Sequence, residues 1–234
     1  MEVQGRSHMR WYPWVKSTVR RVFVCITLLF VVSCAPTLYS VDMKYHPSKT
    51  ALSNKTTAKN IHFTVAGFID KRKISDALVI GKVIKIDGSS VNVFPRHQKA
   101  VDAVTLGFKD YLKRAGYPVR QESPEWDLQV NTIRQEWGGI LVGGSIEYLD
   151  LTCNLSIPMK YDAKVQLTVL FADSQSGQIF YKTVVESSFS REDIAFSEEE
   201  MGRQISGALS DAIEKVFEKK ALIQKIEETA GGLP

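Results

Sequence analysis

Apolar and polar residues alternate in several segments of the chain, as they do in β-strands that bury one face. The clearest alternation runs from Asp162 to Phe171, where every second residue is apolar. The run from Ile179 to Phe189 follows it across the turn segment Asp173 to Gly177, which predicts an antiparallel hairpin. Further strands are predicted at Ile61 to Ile69 and at Trp126 to Trp137.

A second hairpin is predicted around Asp87-Gly88, because this pair supplies the positive φ that tight turns need. Its arms are Leu78 to Ile86 and Val91 to Phe94. A helical period then replaces the alternation, with apolar residues at steps of three and four: Val101, Val104, Phe108, Leu112 and Ala115. Gly116 and Pro118 are expected to end this amphipathic helix.

The last predicted helix begins at Ser197, whose hydroxyl can cap it while Glu200 reaches back. Its apolar residues recur at helical spacing: Met201, Ile205, Leu209, Ala212 and Val216. Gly202 and Gly207 each lower the intrinsic helix stability by up to about 1 kcal/mol, so we expect them to permit close approach to a strand.

This order of elements predicts an α+β fold: a two-layer sandwich in which a mainly antiparallel sheet is packed by two amphipathic helices. We expect residues 61–226 to form a single domain and residues 227–234 to be a frayed tail. Residues 35–60 are rich in Pro, Ser, Thr, Asn and Lys, which predicts a flexible tether over residues 34–60. As a random coil, such a tether would span on the order of 30 Å.

The N-terminal region predicts export. Arg20-Arg21 precedes an apolar run of 11 residues, which is too short for a membrane-spanning helix of roughly 20. The run closes with Val31-Val32-Ser33-Cys34, which resembles a bacterial lipobox. We therefore expect residues 1–33 to be a signal peptide, cleavage between Ser33 and Cys34, and acyl chains on Cys34. An ordinary signal peptide and an uncleaved anchor are the alternatives, and Met9 is a second possible start.

Removing residues 1–33 takes away five basic residues and one acidic residue, leaving 25 of each. A neutral mature chain gives no support to a nucleic-acid partner. Only Cys153 then remains besides Cys34, so no internal disulfide is possible in the body, and we expect Cys153 to be a packed strand residue. Ala35 after the acylated cysteine favours the outer membrane, with the domain facing the periplasm.

The sequence contains no clear catalytic constellation. His46, His62 and His97 have no ligand-type neighbour at the spacing of a zinc site, and we predict neither a metal nor another cofactor. The acidic cluster Glu198-Glu199-Glu200 is explained by the first turn of a helix, where negative charge is favourable. We therefore expect that the protein is not an enzyme.

Two segments are candidates for partner binding. The glycine-rich stretch Gly138 to Ser145 predicts a flexible hairpin loop or, alternatively, an exposed apolar contact loop anchored by Ile140, Leu141 and Val142. Trp137 and Tyr148 are candidates for further anchors of such a loop. The charged strand end at Asp70 and Arg72 could bind an anionic partner, although a charged strand terminus is the commoner meaning.

Several short motifs occur in a characteristic order after the lipobox and tether: Asp70-x-Arg72, Ala115-Gly116-Tyr117-x-Val119, Asp127-Leu128-Gln129-Val130, Asp173-x-x-Ser176-Gly177 and the final amphipathic helix. This order resembles the YajG family of outer-membrane lipoproteins over almost the whole mature chain. The resemblance implies a periplasm-facing α+β domain and no established reaction. The chain departs from the family in its long leader, in an insertion from Gly138 to Asp150 and in the tail after Phe217.

Two functions are therefore predicted. The first is a non-catalytic, lipid-anchored envelope protein that binds a protein partner or supports envelope assembly. The second is an accessory lipoprotein of a lipid or solute transport complex, which would need an open apolar groove between the sheet and the helices.

Replacement of the predicted lipid-bearing cysteine, Cys34→Ser, is expected to release the protein from membranes or leave it unprocessed. Two or three acyl chains anchor a protein essentially permanently, because each buried methylene contributes about 0.8 kcal/mol. Membrane fractionation with a palmitate label checks this. Full membrane partitioning of the labelled variant would contradict the lipobox assignment.

Overall fold

The computed structural model of the protein describes residues 38–48 and 61–231. The predicted signal peptide, the cleavage site at Ser33 and the lipidation site at Cys34 lie outside the described residues. The described strands are β1 (Tyr39–Val41), β2 (Phe63–Val65), β3 (Ile69–Asp70), β4 (Gly81–Ile84), β5 (Ser90–Pro95), β6 (Ile140–Asn154), β7 (Met159–Asp173) and β8 (Gln178–Asp193). The described helices are α1 (Ala100–Arg114), α2 (Glu198–Phe217) and α3 (Lys220–Gly231).

The strands form one mixed sheet in the order β1-β5-β4-β6-β7-β8. Strand β6 is the centre of this sheet, because β2, β3 and β4 all pair with it in parallel while β7 pairs with it antiparallel. The two predicted hairpins are present as β4–β5 and β7–β8. The predicted α+β class is confirmed, with more parallel pairing than the sequence indicated.

The helices cover one face of the sheet. In β7 the alternate residues Tyr161, Ala163, Val165, Leu167 and Val169 are buried in the main core. The polar residues between them are partly exposed on the other face, as expected for a strand with one wet side.

Both predicted helices are present, and their ends follow the local sequence signals. The Ser197 hydroxyl accepts a hydrogen bond from the Glu200 backbone N–H, which confirms the predicted cap of α2. The Glu200 carboxylate bonds to Arg203 and Gln204 instead of reaching back. Helix α3 continues to Gly231 over part of the predicted frayed tail, because Leu222 and Ile226 pack into the core.

The two glycines of α2 allow close contacts, as predicted. A Cβ on Gly202 would lie 3.1 Å from the backbone oxygen of Asp42, just after β1. A Cβ on Gly207 would lie 3.1 Å from the Phe189 ring on β8. The two glycines therefore lower the intrinsic stability of the helix but allow it to pack closely against both edges of the sheet.

Residues 38–48, which fall in the predicted tether, belong to the folded domain. β1 pairs in parallel with β5, and the alternate residues Val41, Met43 and Tyr45 are buried. The backbone N–H groups of Lys44 and His46 donate to serine hydroxyls of α2. The tether prediction is wrong for these residues because the apolar alternation at 41, 43 and 45 outweighs their polar surroundings.

The stretch from Trp126 to Trp137 is not the predicted strand. It contains two single turns of 3-10 helix, Val130–Thr132 and Gln135–Trp137. Leu128, two residues before the first turn, has a φ of 67°, which interrupts any extended conformation. The apparent alternation of Leu128 and Val130 therefore reflects an irregular segment that packs on the sheet.

Conversely, the glycine-rich stretch is not a loop, because Gly143 and Gly144 lie inside the central strand β6. A Cβ on Gly143 would lie 2.6 Å from the Trp126 ring. A Cβ on Gly144 would lie 2.2 Å from the Thr168 carbonyl oxygen and 2.8 Å from the Phe68 ring. Glycine is required here because aromatic rings lie against both faces of the strand.

The variant Gly143→Ala is expected to lower the free energy of unfolding by about 1–3 kcal/mol, because the new methyl group overlaps the Trp126 ring. The matched control is Gly67→Ala, since a Cβ there would have only the Pro124 oxygen near it, at 4.0 Å. That control should leave stability unchanged or raise it by about 0.5 kcal/mol. Urea denaturation measures both, and equal effects would contradict the packing explanation.

Candidate functional site

A second, smaller hydrophobic cluster lies on the face of the sheet opposite the helices. Alternation along the strands separates it from the main core: Ile140 and Val142 of β6 join the main core, and Leu141 between them joins the second cluster. Trp126 and Trp137 cover this cluster and are 3% and 9% exposed. We call residues 124–137 the tryptophan cap.

The tryptophan cap is attached to β2 and to the segment just after it by hydrogen bonds as well as by its rings. The Thr64 hydroxyl donates to the Trp137 carbonyl at 2.7 Å, and the Gly67 N–H donates to the Pro124 carbonyl at 3.0 Å. The Trp126 indole N–H donates to the Gln129 carbonyl at 2.9 Å. The cap is thus a fixed irregular structure on β2 and β6.

An open cleft of about 890 Å³ lies beside the tryptophan cap, a volume typical of ligand sites. Phe68, Trp126 and Trp137 form part of its wall, each at most 9% exposed, and Asp127 and Arg134 supply exposed charge. The remaining lining residues are Gly67, Ile69, Asp70, Val101, Glu125, Asn131, Thr132 and Ile133. We call this the cap cleft.

The charges of the cap cleft are arranged by local contacts. The Thr132 hydroxyl and the Gln129 backbone N–H both donate to Asp127, and these bonds hold the pKa of that carboxyl below its usual value. Arg134 lies 3.4 Å from Glu136 in an exposed pair. The cleft therefore offers a fixed carboxylate and a cation beside aromatic surface, which suits a ligand with both polar and apolar groups.

Asp70 and Arg72, predicted as partner-binding residues, are bonded to each other. The Arg72 guanidinium, 3% exposed, makes two bonds of 2.7 and 2.9 Å to the Asp70 carboxylate. It also donates to the carbonyls of Ala77 and Val79 at 2.8 and 2.9 Å. Arg72 is thus enclosed by its own loop and is not open to an anionic partner, whereas Asp70 lines the end of the cap cleft.

The prediction of an exposed contact loop is wrong, because its three anchor residues belong to the central strand β6. Ile140, Leu141 and Val142 are each 0% exposed, because β6 is covered by helices on one face and by the tryptophan cap on the other. A strand buried on both faces shows a continuous apolar run, which resembles a sticky loop in sequence. These three residues cannot act as exposed anchors in this fold.

A second groove, of about 440 Å³, lies where β1 meets α2. Its charged groups pair with each other: Arg96 lies 3.5 Å from Asp42 and 3.4 Å from Glu198. Arg203 pairs with Glu199 and Glu200. The acidic first turn of α2 is therefore engaged in ion pairs with neighbouring arginines, and the groove is a weaker candidate than the cap cleft.

In the described part of the chain, the residue types that bind metal ions do not converge. No group of three His, Cys, Asp or Glu residues suited to a metal ion occurs within 38–48 and 61–231. Cys153 is fully buried on β6, which confirms a packed strand residue, and burial raises the pKa of its thiol to about 11. No helix in the described ranges is both long and apolar enough to cross a membrane.

No protein-family model matches the chain, and no curated protein matches it. Among solved structures, the fold is similar to that of protein XCC0632 from Xanthomonas campestris, of family DUF330, at 11% identity and a TM-score of 0.48, over 77% of this chain and 92% of that one. It is also similar to lipoprotein GNA1162 from Neisseria meningitidis, at 11% identity and a TM-score of 0.37, over 69% and 99%. These similarities describe the outline of the fold and carry no conclusion about function.

Sequence patterns did not reveal the tryptophan cap or its cleft. Two features of the sequence are consistent with it: a pair of tryptophans eleven residues apart and a glycine pair shortly after them. Adjacent glycines in an apolar run indicate close approach by other groups as readily as they indicate a loop. Only the tertiary contacts distinguish the two.

The variant Arg72→Ala is expected to lower the free energy of unfolding by about 3 kcal/mol, because it leaves a partly buried carboxylate and two carbonyls without their donor. The matched control Arg134→Ala removes an exposed pair and should change stability by less than about 1 kcal/mol. Urea denaturation measures both. An Arg72→Ala variant as stable as the wild type would contradict the structural role of Arg72.

The same pair makes stability depend on pH. Burial raises the pKa of Asp70, but the hydrogen bonds and charge of Arg72 outweigh this effect and lower it below the usual value. The contribution of this ion pair to stability is therefore complete above the pKa of Asp70 in the unfolded chain, about 4. It is lost as the pH falls through the pKa of Asp70 in the folded protein. Asp70→Asn should show a shallower loss of stability in acid than the wild type.

Proposed function

We propose that this chain is a lipid-anchored lipoprotein of the bacterial envelope whose domain binds a protein partner through the cap cleft. The lipobox ending at Cys34 supports the anchor. Ala35 supports an outer-membrane location facing the periplasm, and the ordered motifs support kinship with the YajG family.

The cap cleft carries the binding part of the proposal. It combines a tryptophan-lined apolar surface with exposed groups of both charges, Asp127 and Arg134, on a segment fixed to the central strand. A peptide segment of another envelope protein offers the matching mixture of apolar side chains, charges and backbone hydrogen-bonding groups. We therefore favour a protein partner over a small molecule.

A non-catalytic role agrees with the state of the charged groups. Asp127 accepts bonds from its own segment, Asp70 is paired with Arg72, and Glu200 is paired with Arg203. A general acid or base needs a titratable group aimed at a substrate position, and these carboxylates are engaged in holding local structure.

The transport alternative would need an open apolar groove between the sheet and the helices. Aromatic rings fill that space in the described domain: Tyr111 stacks on Phe217 with centroids 4.3 Å apart, and Phe68 stacks on Phe108 at 4.9 Å. Phe171 from β7 meets Phe217 edge-on. This closed packing does not favour binding of an acyl chain there.

A photo-crosslinking amino acid at Asn131, an exposed position of the cap cleft, tests the partner hypothesis in intact cells. We expect a discrete crosslinked species that is absent when the same group is placed at Ser188, on the exposed outer side of β8. Arg134→Glu should reduce the crosslink severalfold by reversing a charge in the cleft. The matched control is Arg114→Glu on α1, which should leave it intact.

Equal crosslinking from Asn131 and Ser188, or a crosslink insensitive to Arg134→Glu, would contradict binding in the cap cleft. Membrane fractionation of the same cells shows independently whether the protein is anchored.

A further inference from the structure

Four large apolar side chains are far more exposed than any others in the described part of the chain. Ile157 is 92% exposed, Ile194 is 90%, Ile86 is 84% and Leu38 is 66%. The next such residue is Val184, at 50%. Single exposed apolar residues are ordinary, but a group of them at one place marks a contact surface.

The strand register places the three isoleucines at one end of the sheet. Ile84, just before Ile86, pairs with Asn154 at the end of β6. Asn154 pairs with Lys160 across the β6–β7 turn that contains Ile157. Lys160 in turn pairs with Glu192, two residues before Ile194. We call this end, with Ile86, Ile157 and Ile194, the isoleucine end.

The three side chains are carried on hydrogen-bonded structure, and in the turn that contains Ile157 the Ser156 hydroxyl donates to the Pro158 carbonyl at 2.7 Å. Ile86 lies in a turn closed by bonds of 2.8 and 2.9 Å between Lys85 and the Gly88–Ser89 segment. The Tyr161 hydroxyl donates to the Ala195 carbonyl and accepts from the Ser197 N–H, which fixes the segment after Ile194. The isoleucines are thus presented by fixed turns.

Strand β1 enters the sheet at the same end. It runs parallel to β5 with Tyr39 opposite Val93, so its start lies toward Ser90 and the β4–β5 turn. Leu38 immediately precedes β1 and follows Cys34 by only four residues. Covalent geometry limits the distance between the Cα atoms of Cys34 and Leu38 to about 14 Å.

We propose that the isoleucine end rests on the bilayer that holds the acyl chains of Cys34, with Ile86, Ile157 and Ile194 inserted at the boundary between headgroups and acyl chains. The inference rests on the lipid anchor proposed above. A short link from Cys34 keeps this end close to the membrane, where exposed isoleucines gain from leaving water.

The contact is apolar in character. Two basic residues at this end lie beside acids: Lys160 lies 3.4 Å from Asp162, and Arg191 lies 3.5 Å from Glu200. Attraction of a basic patch to anionic lipid is therefore not required, and the insertion should depend little on lipid charge or salt.

This orientation also assigns a direction to the cap cleft. Gly143 beneath the Trp126 ring and Asn154 at the isoleucine end are separated by most of β6, which corresponds to on the order of 30 Å. The cleft would then face away from the membrane surface, and a partner in the periplasm could reach it.

The test uses the full lipidated chain with single cysteines at Ile86, Ile157 or Ile194, each carrying an environment-sensitive fluorophore. The matched control is Ser176→Cys, in the exposed β7–β8 turn at the other end of the sheet. Cys153 does not compete for the label in the folded protein because it is fully buried. The proteins are reconstituted in phosphatidylcholine vesicles with and without phosphatidylglycerol and with spin labels at a shallow acyl position.

We expect blue-shifted emission and strong quenching by the spin labels at the three isoleucine positions, and neither at position 176, equally in both lipid mixtures. Vesicle flotation with water-like emission at all positions would overturn the orientation while leaving the lipid anchor intact. A blue shift at the isoleucine positions that appears only after membrane proteins are added would also overturn the proposal. It would indicate a contact with a protein. Failure to float would remove the anchor and with it this inference.

Discussion

The burial of β6 on both faces is the constraint on which the rest of this structure depends. This strand pairs with β2, β3, β4 and β7, so half of the sheet takes its register from it. Helices cover one face, and the tryptophan cap covers the other at the end where β6 begins. Gly143 and Gly144 make this possible, because any larger residue there would overlap a ring or a carbonyl. A strand that is buried on both faces and needs glycine at two positions can adopt few alternative registers.

The two ends of β6 divide the molecule into regions of different character. Where the strand begins, the tryptophan cap forms a cleft with fixed charges and aromatic surface. Where it ends, three turns carry isoleucines that are almost fully exposed. The proposed roles, partner binding at one end and membrane contact at the other, follow from this polarity.

The ion pair of Asp70 and Arg72 shows how a charged motif can be structural. The guanidinium closes the loop that leads from β3 to β4, so two strands that flank β6 on the same side are connected by a defined path. Its burial removes the charge from the surface and makes it unsuitable for recruiting an anion. The same reasoning applies to the acids at the start of α2, which are engaged by Arg96, Arg191 and Arg203.

The sequence by itself determined the α+β class, both hairpins, the two amphipathic helices, the cap of α2 and the close approach at Gly202 and Gly207. These features depend on periods of two or 3.6 residues and on turn or capping residues, which act over a few positions. The predicted lipidation of Cys34 also rests on a local motif. Only the tertiary structure decided that residues 38–48 join the sheet, that 126–137 is irregular and that 138–150 is largely strand. Composition and alternation cannot decide these points because a doubly buried strand and an apolar loop look alike, and the rings that separate them come from distant positions.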